Sequence, residues 1–191
     1  MSVPGFKEAG SGEPVVFLHG IGGNRHAFDA QLAEPGRVRS LVLAQTMARF
    51  GKPGSDWQQQ FLDARLKPLE DGRAPADFAR ELITGMFGDP SRAEAIERAV
   101  ATMSPLPADV YRQVLTCLVG FDQRGTLPEI DAPTLCLAAE LDQTAPPRTM
   151  EKMATEIPAG RYDCLQDAGH LAYVERPAAF TRAVNEFLGQ L

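Results

Sequence analysis

The sequence predicts an α/β fold with a short, mostly parallel sheet flanked by helices, and three observations support this. Apolar runs of strand length alternate with segments of helical periodicity along most of the chain. The runs are continuous rather than alternating, which is typical of strands covered on both faces. With 191 residues, 44% of them hydrophobic, the chain is long enough for one sizeable core. The predicted strands cover residues 15–19, 38–44, 134–139 and 161–166.

Helical segments fill the intervals between these strands. Residues 24–34 predict a helix that connects the first two strands, and residues 177–188 predict a final helix after the last strand. Between the second and third strands, four helices are expected, the first of them capped by Ser55. In the fourth helix, which opens near residue 108, Val110 and Leu115 are expected to point inward.

This arrangement predicts a core with one large insertion. Residues 47–121 are expected to form a helical lid inserted between core strands. Residues 1–46 and 122–191 are expected to form the shortened core around it.

Composition argues against several functional classes. The formal net charge of −6 and the lack of a basic run disfavour a nucleic-acid partner. No stretch approaches the roughly 20 apolar residues of a membrane span. The histidines and cysteines lack metal-ligand spacing, so we expect no metal and no cofactor. The three cysteines are far apart and are expected to be buried free thiols, which favours a reducing cytoplasm. They are Cys117, Cys136 and Cys164.

Two candidate catalytic residues follow neighbouring predicted strands. Asp142 ends the 134–139 strand, and His170 follows the 161–166 strand after a short turn. Taken singly, Asp142 is more simply a turn former and His170 a surface loop residue. Together, an acid and a histidine at one sheet edge form a pair in which the carboxylate fixes the imidazole tautomer. We therefore expect the two side chains to lie within about 3.2 Å.

A glycine-rich turn at residues 19–23 follows the first strong strand. Such a turn leaves backbone N–H groups free, and those of Gly20 and Ile21 are candidates for an oxyanion hole. A simple glycine turn is the alternative interpretation. A phosphate cradle is disfavoured because no Gly-Lys-Ser/Thr follows.

These three segments, in this order and with a helical insertion before the acid, resemble the α/β-hydrolase superfamily. They are most similar to its capped enol-lactone hydrolase and esterase-like members. The resemblance implies a reduced α/β-hydrolase fold with Asp142 as triad acid and His170 as triad base. It also implies that Gly20 and Ile21 form the oxyanion hole and that the substrate is a small carboxylic ester or lactone.

The sequence departs from this family in that it contains no Gly-x-Ser-x-Gly, the turn that carries the family's nucleophile. Residues 31–34 pass directly into residues 35–38, where the family has a further strand and the nucleophile elbow. The 15–19 and 38–44 strands are therefore expected to pair directly. No serine or cysteine of the chain is an evident substitute.

Two functional hypotheses follow. The first is a serine hydrolase of esters or lactones by ancestry, with impaired activity. The second is a non-catalytic deletion variant or engineered scaffold. Such a protein could bind a small apolar ligand, or form a homodimer through exposed strand edges.

Overall fold

The computed structural model describes residues 38–191, and a three-stranded parallel sheet lies at its centre. The strands are β1 (Leu41–Ala44), β2 (Thr134–Ala139) and β3 (Gly160–Leu165), in the order β1-β2-β3. The parallel sheet is thus confirmed, although β1 begins three residues later than the sequence predicts. The expected strand 15–19, its pairing with β1, and the helix 24–34 lie outside the described residues.

The central strand β2 is buried along its whole length because helices cover both faces of the sheet. On one face, Leu135 and Leu137 pack in a cluster with α7 (Pro177–Leu188). On the other face, Cys136 and Ala138 pack in a cluster with α5 (Pro147–Glu156). Successive side chains of a strand point to opposite faces, so each layer takes alternate residues of β2.

Four helices lie between β1 and β2, as the sequence predicts. The first begins after Ser55, whose Oγ accepts a hydrogen bond from the N–H of Gln58 at 3.3 Å. The four are α1 (Asp56–Glu70), α2 (Pro75–Thr84), α3 (Ala93–Met103) and α4 (Ala108–Val119). The structure adds a 3-10 helix, Arg124–Glu129, before β2, and the short helix α6 (Ala172–Glu175) after β3.

Two sequence expectations for α4 are wrong. Val110 is 39% exposed, and the buried stripe of the helix is formed by Tyr111 and Leu115 instead. The Tyr111 ring packs 5.8 Å from that of Phe78, and an aromatic ring buries more area than the valine side chain beside it. Cys117, which was expected to be buried, is exposed because it lies away from this stripe.

The two ends of the α1–α4 segment lie side by side. Residues Arg49 and Asp122 form an antiparallel bridge, and the N–H of Gln123 donates to the carbonyl of Ala48 at 2.7 Å. The buried side chain of Gln58 reinforces this junction. Its Nε2 donates to the carbonyls of Phe50 at 3.1 Å and Val119 at 3.4 Å.

Replacing Gln58 with leucine is expected to lower the free energy of unfolding by about 1–3 kcal/mol. The leucine would leave the buried carbonyl of Phe50 and the partly buried carbonyl of Val119 without this donor. The change is measured by urea denaturation. Gln59→Leu is the matched control, because Gln59 is exposed and bonds only along its own helix. Equal effects of the two substitutions would contradict the role given to Gln58.

No helix within residues 38–191 combines the length and apolar character that crossing a bilayer requires.

Candidate functional site

The Asp142 side chain is buried and held by the backbone of its own turn. It follows β2, and its Oδ1 accepts hydrogen bonds from the N–H groups of Thr144 at 2.7 Å and Ala145 at 2.9 Å. The residue is 1% exposed. Since Oδ1 is occupied by these two donors, Oδ2 is the oxygen presented to the rest of the sheet edge.

His170 lies on the loop after β3 and meets that oxygen. Its Nδ1 is 2.9 Å from Asp142 Oδ2, and its side chain is 15% exposed. The expected contact between the two residues is therefore confirmed. A carboxylate can only accept, so the imidazole proton is placed on Nδ1 and Nε2 is left as the basic nitrogen. This arrangement can take a proton from a reactant at Nε2.

The loop that carries His170 is packed directly on a loop of the helical segment. The backbone N–H of His170 donates to the carbonyl of Met86, which follows α2, at 2.8 Å. A side-chain carbon built at Gly169 would lie 2.7 Å from the carbonyl carbon of Phe87, and closer still to the N–H of Gly88 and the oxygen of Met86. Only glycine therefore permits this approach of two backbones.

Sequence reasoning missed a second buried carboxylate at this place, Glu175. It is 1% exposed, and its Oε2 accepts from the N–H groups of Gly169 at 2.8 Å and Gly88 at 3.1 Å. Its Oε1 accepts from the N–H of Asp89 at 2.7 Å. One signal was available in the sequence: a glutamate that directly follows the largely apolar residues 171–174.

Two predicted site residues are undescribed, and the serines of the helical segment, which the sequence disfavours as nucleophiles, make structural contacts. Gly20 and Ile21 lie outside the described residues. The hydroxyls of Ser91 and Ser104 donate to Asp89 Oδ1 at 2.6 Å and to the Val100 carbonyl at 2.7 Å. Together with the capping role of Ser55, these contacts are the structural ones that the sequence favours.

The strand cysteines are poor nucleophiles. Burial raises the pKa of the Cys136 thiol to about 11 and also raises the pKa of Cys164. Both thiols therefore remain protonated near neutral pH, whereas the thiolate is the reactive form of cysteine. Residues 38–191 contain no group of three or more histidines, cysteines or carboxylates placed to hold a metal ion.

Residues 30–177 match the family model described as alpha/beta hydrolase fold. Among curated proteins, the chain is 28% identical over 182 residues to "Putative non-heme bromoperoxidase BpoC" of Mycobacterium tuberculosis, covering 90% of this chain and 68% of that protein. It is 23% identical over 184 residues to a pimeloyl-[acyl-carrier protein] methyl ester esterase of Xanthomonas axonopodis pv. citri, covering 93% and 72%.

Solved structures give the same picture. A thermophilic esterase from Thermogutta terrifontis superimposes with a TM-score of 0.72 at 26% identity, covering 86% of this chain. The enol-lactonase from Burkholderia xenovorans LB400 does so with a TM-score of 0.69 at 24% identity, covering 83%, a likeness of fold alone. The chain spans 60% of the length of the Thermogutta esterase and 59% of the enol-lactonase.

Proposed function

This chain belongs to the α/β-hydrolase fold family, and from that premise we propose that Asp142 and His170 are the acid and base of a site for carboxylic esters or lactones. The observation that carries the proposal is the 2.9 Å contact between His170 Nδ1 and Asp142 Oδ2 at the carboxyl edge of the sheet. The esterases among its relatives support the substrate class.

Where a hydroxyl nucleophile is supplied to this pair, His170 Nε2 would remove its proton as the hydroxyl oxygen attacks the ester carbonyl. The imidazolium then returns that proton to the leaving alcohol, while the buried Asp142 carboxylate stabilises the positive ring. The N–H groups of Gly20 and Ile21 are proposed to bind the oxyanion of the tetrahedral intermediate.

The sequence supplies no Gly-x-Ser-x-Gly serine for this pair. Ester turnover by the chain is therefore expected to stay near the background rate, since loss of a triad member removes several orders of magnitude. The alternative is a non-catalytic protein that binds a small apolar ligand through the same fold.

A fluorophosphonate probe and p-nitrophenyl acetate test this proposal. We expect no stoichiometric labelling of a single serine, and slow ester hydrolysis that His170→Ala changes little. Brisk turnover in the ordinary range of about 1–10³ per second that His170→Ala abolishes would reveal a nucleophile that the sequence does not display. Brisk turnover that survives both His170→Ala and Asp142→Asn would contradict the assignment of acid and base.

A second experiment tests the pair by gain of function. A strand, a Gly-x-Ser-x-Gly turn and a helix are inserted between Glu34 and Pro35, the junction at which the family resemblance implies that these elements are missing. Labelling of the inserted serine and ester turnover are expected, and both should fall by orders of magnitude on His170→Ala. A folded insertion variant whose ester turnover is unchanged by His170→Ala would argue against the role of His170 as base.

Residues 47–121 are proposed to be the lid over this site, on a core of residues 1–46 and 122–191. The support is the direct contact of the Met86 carbonyl with the N–H of His170, which brings the segment to the sheet edge where the pair lies.

The partner proposed for the site is a small-molecule ester or lactone.

The three free thiols among the described residues fit a cytoplasmic location. Homodimer formation through strand edges is also a proposal, and light scattering on the purified chain checks it: a monomer mass would exclude it.

A further inference from the structure

The buried carboxylate of Glu175 joins two loops that come from distant parts of the sequence. It accepts the N–H of Gly169 next to His170, and the N–H groups of Gly88 and Asp89 between α2 and α3. We call residues 86–89 the strap loop and residues 167–170 the histidine loop. The three bonds span 2.7 to 3.1 Å and all end on one side chain.

We propose that Glu175 is a positioning residue, which fastens the strap loop to the histidine loop and so holds the imidazole of His170 on Asp142. The proposal concerns the geometry of the pair, and only its catalytic consequence rests on the function proposed above. Glu175 bonds to backbone N–H groups and not to the imidazole, so it acts on His170 through the backbone.

Burial supports this role because it makes the carboxylate hard to replace. A carboxylate that is 1% exposed and bonded only to N–H donors makes charge-assisted hydrogen bonds, which are about twice as strong as neutral ones. Removing it would leave three buried or half-buried backbone donors with no acceptor.

The backbone contacts support this role because His170 itself makes one of them. Its own N–H donates to Met86 of the strap loop at 2.8 Å, one residue from the Gly169 N–H held by Glu175. Moving the strap loop away from the histidine loop therefore breaks the hydrogen bond from His170 N–H to Met86 and separates the two groups of N–H donors that Glu175 joins. Such a movement is expected to shift the imidazole relative to Asp142, whose Oδ1 is held by the N–H groups of Thr144 and Ala145.

The test measures the Nδ1–H proton of His170 by NMR in the full chain. An imidazole N–H bonded to a carboxylate resonates far downfield of the backbone amides. Asp142→Asn identifies the signal by abolishing it, which separates it from those of the other two histidines, His19 and His26. Because the readout needs no turnover, the proposed function can fail while this inference stands, and the reverse.

Glu175→Leu is expected to abolish the signal, and Glu175→Gln, which keeps one acceptor oxygen, to weaken it. In both variants the amides of Gly88, Asp89 and Gly169 should exchange with solvent about tenfold faster or more. Glu140→Gln is the matched control: this exposed carboxylate accepts one backbone N–H, that of Asp167, in the same histidine loop. It should leave the signal intact.

Gly88→Ala tests the same contact without touching the carboxylate. The added carbon would lie 3.0 Å from the Gly169 nitrogen and 3.1 Å from the Ala168 carbonyl carbon, which pushes the loops apart. We expect a weakened signal, and this variant decides the matter if the Glu175 variants do not fold. An unchanged His170 signal in folded Glu175→Leu, or in folded Gly88→Ala, would overturn the proposal.

Discussion

Gly169→Ala is expected to destabilise the protein by about 3 kcal/mol or more. The new side-chain carbon would collide with backbone atoms of Met86, Phe87 and Gly88, and none of these can move aside as a flexible side chain can. Relief requires the two loops to separate, which also breaks the connection that Glu175 makes between Gly88 and Gly169. Native domains have only about 5–15 kcal/mol of stability, so this loss is a large fraction of the total.

The measurement is the free energy of unfolding from urea titration, with Gly120→Ala as the control. Gly120 ends α4 at an ordinary φ of −93°, and a carbon added there meets nothing within 4 Å. The control should be neutral within about 0.5 kcal/mol. A Gly169→Ala variant as stable as the control would mean that the two loops do not approach as closely as described.

Leu137→Ala is expected to lower the free energy of unfolding by about 2–5 kcal/mol. Leu137 is fully buried in the middle strand of the sheet and packs in the cluster that includes Val184 and Phe187 of α7. Truncation there removes apolar burial and leaves a cavity that strands on both sides keep from collapsing.

Thermal or urea unfolding of Leu137→Ala measures this cost, and Val110→Ala provides the comparison. Val110 is apolar and lies at the exposed side of α4, so its truncation should change stability by no more than about 0.5 kcal/mol. A larger effect of Val110→Ala than of Leu137→Ala would reverse the assignment of core and surface.

Local sequence patterns predict the three strands of the described sheet and the contact of Asp142 with His170. Continuous apolar runs predict buried parallel strands, and residues that directly follow neighbouring parallel strands meet at one sheet edge. Neither inference depends on how distant segments pack, so β2 and the 2.9 Å contact can be predicted from the sequence.

Glu175 is not foreseeable in the same way. Its partners Gly88 and Asp89 lie 87 and 86 residues earlier in the chain, and no local pattern connects them. The prediction that Val110 of α4 points inward fails for a related reason. Apolar spacing allows Val110 or Tyr111 to face the core, and the position of Phe78 on another helix decides between them.

The adjacent ends of the α1–α4 segment make it replaceable. Because the Gln123 N–H reaches the Ala48 carbonyl, the chain enters and leaves these helices at one point. A cassette of different length could be spliced in there, and closing a longer loop costs only about 0.6 kcal/mol per doubling of length. A graft of this kind also has to supply a loop whose backbone packs on Gly169, as that of Met86, Phe87 and Gly88 does.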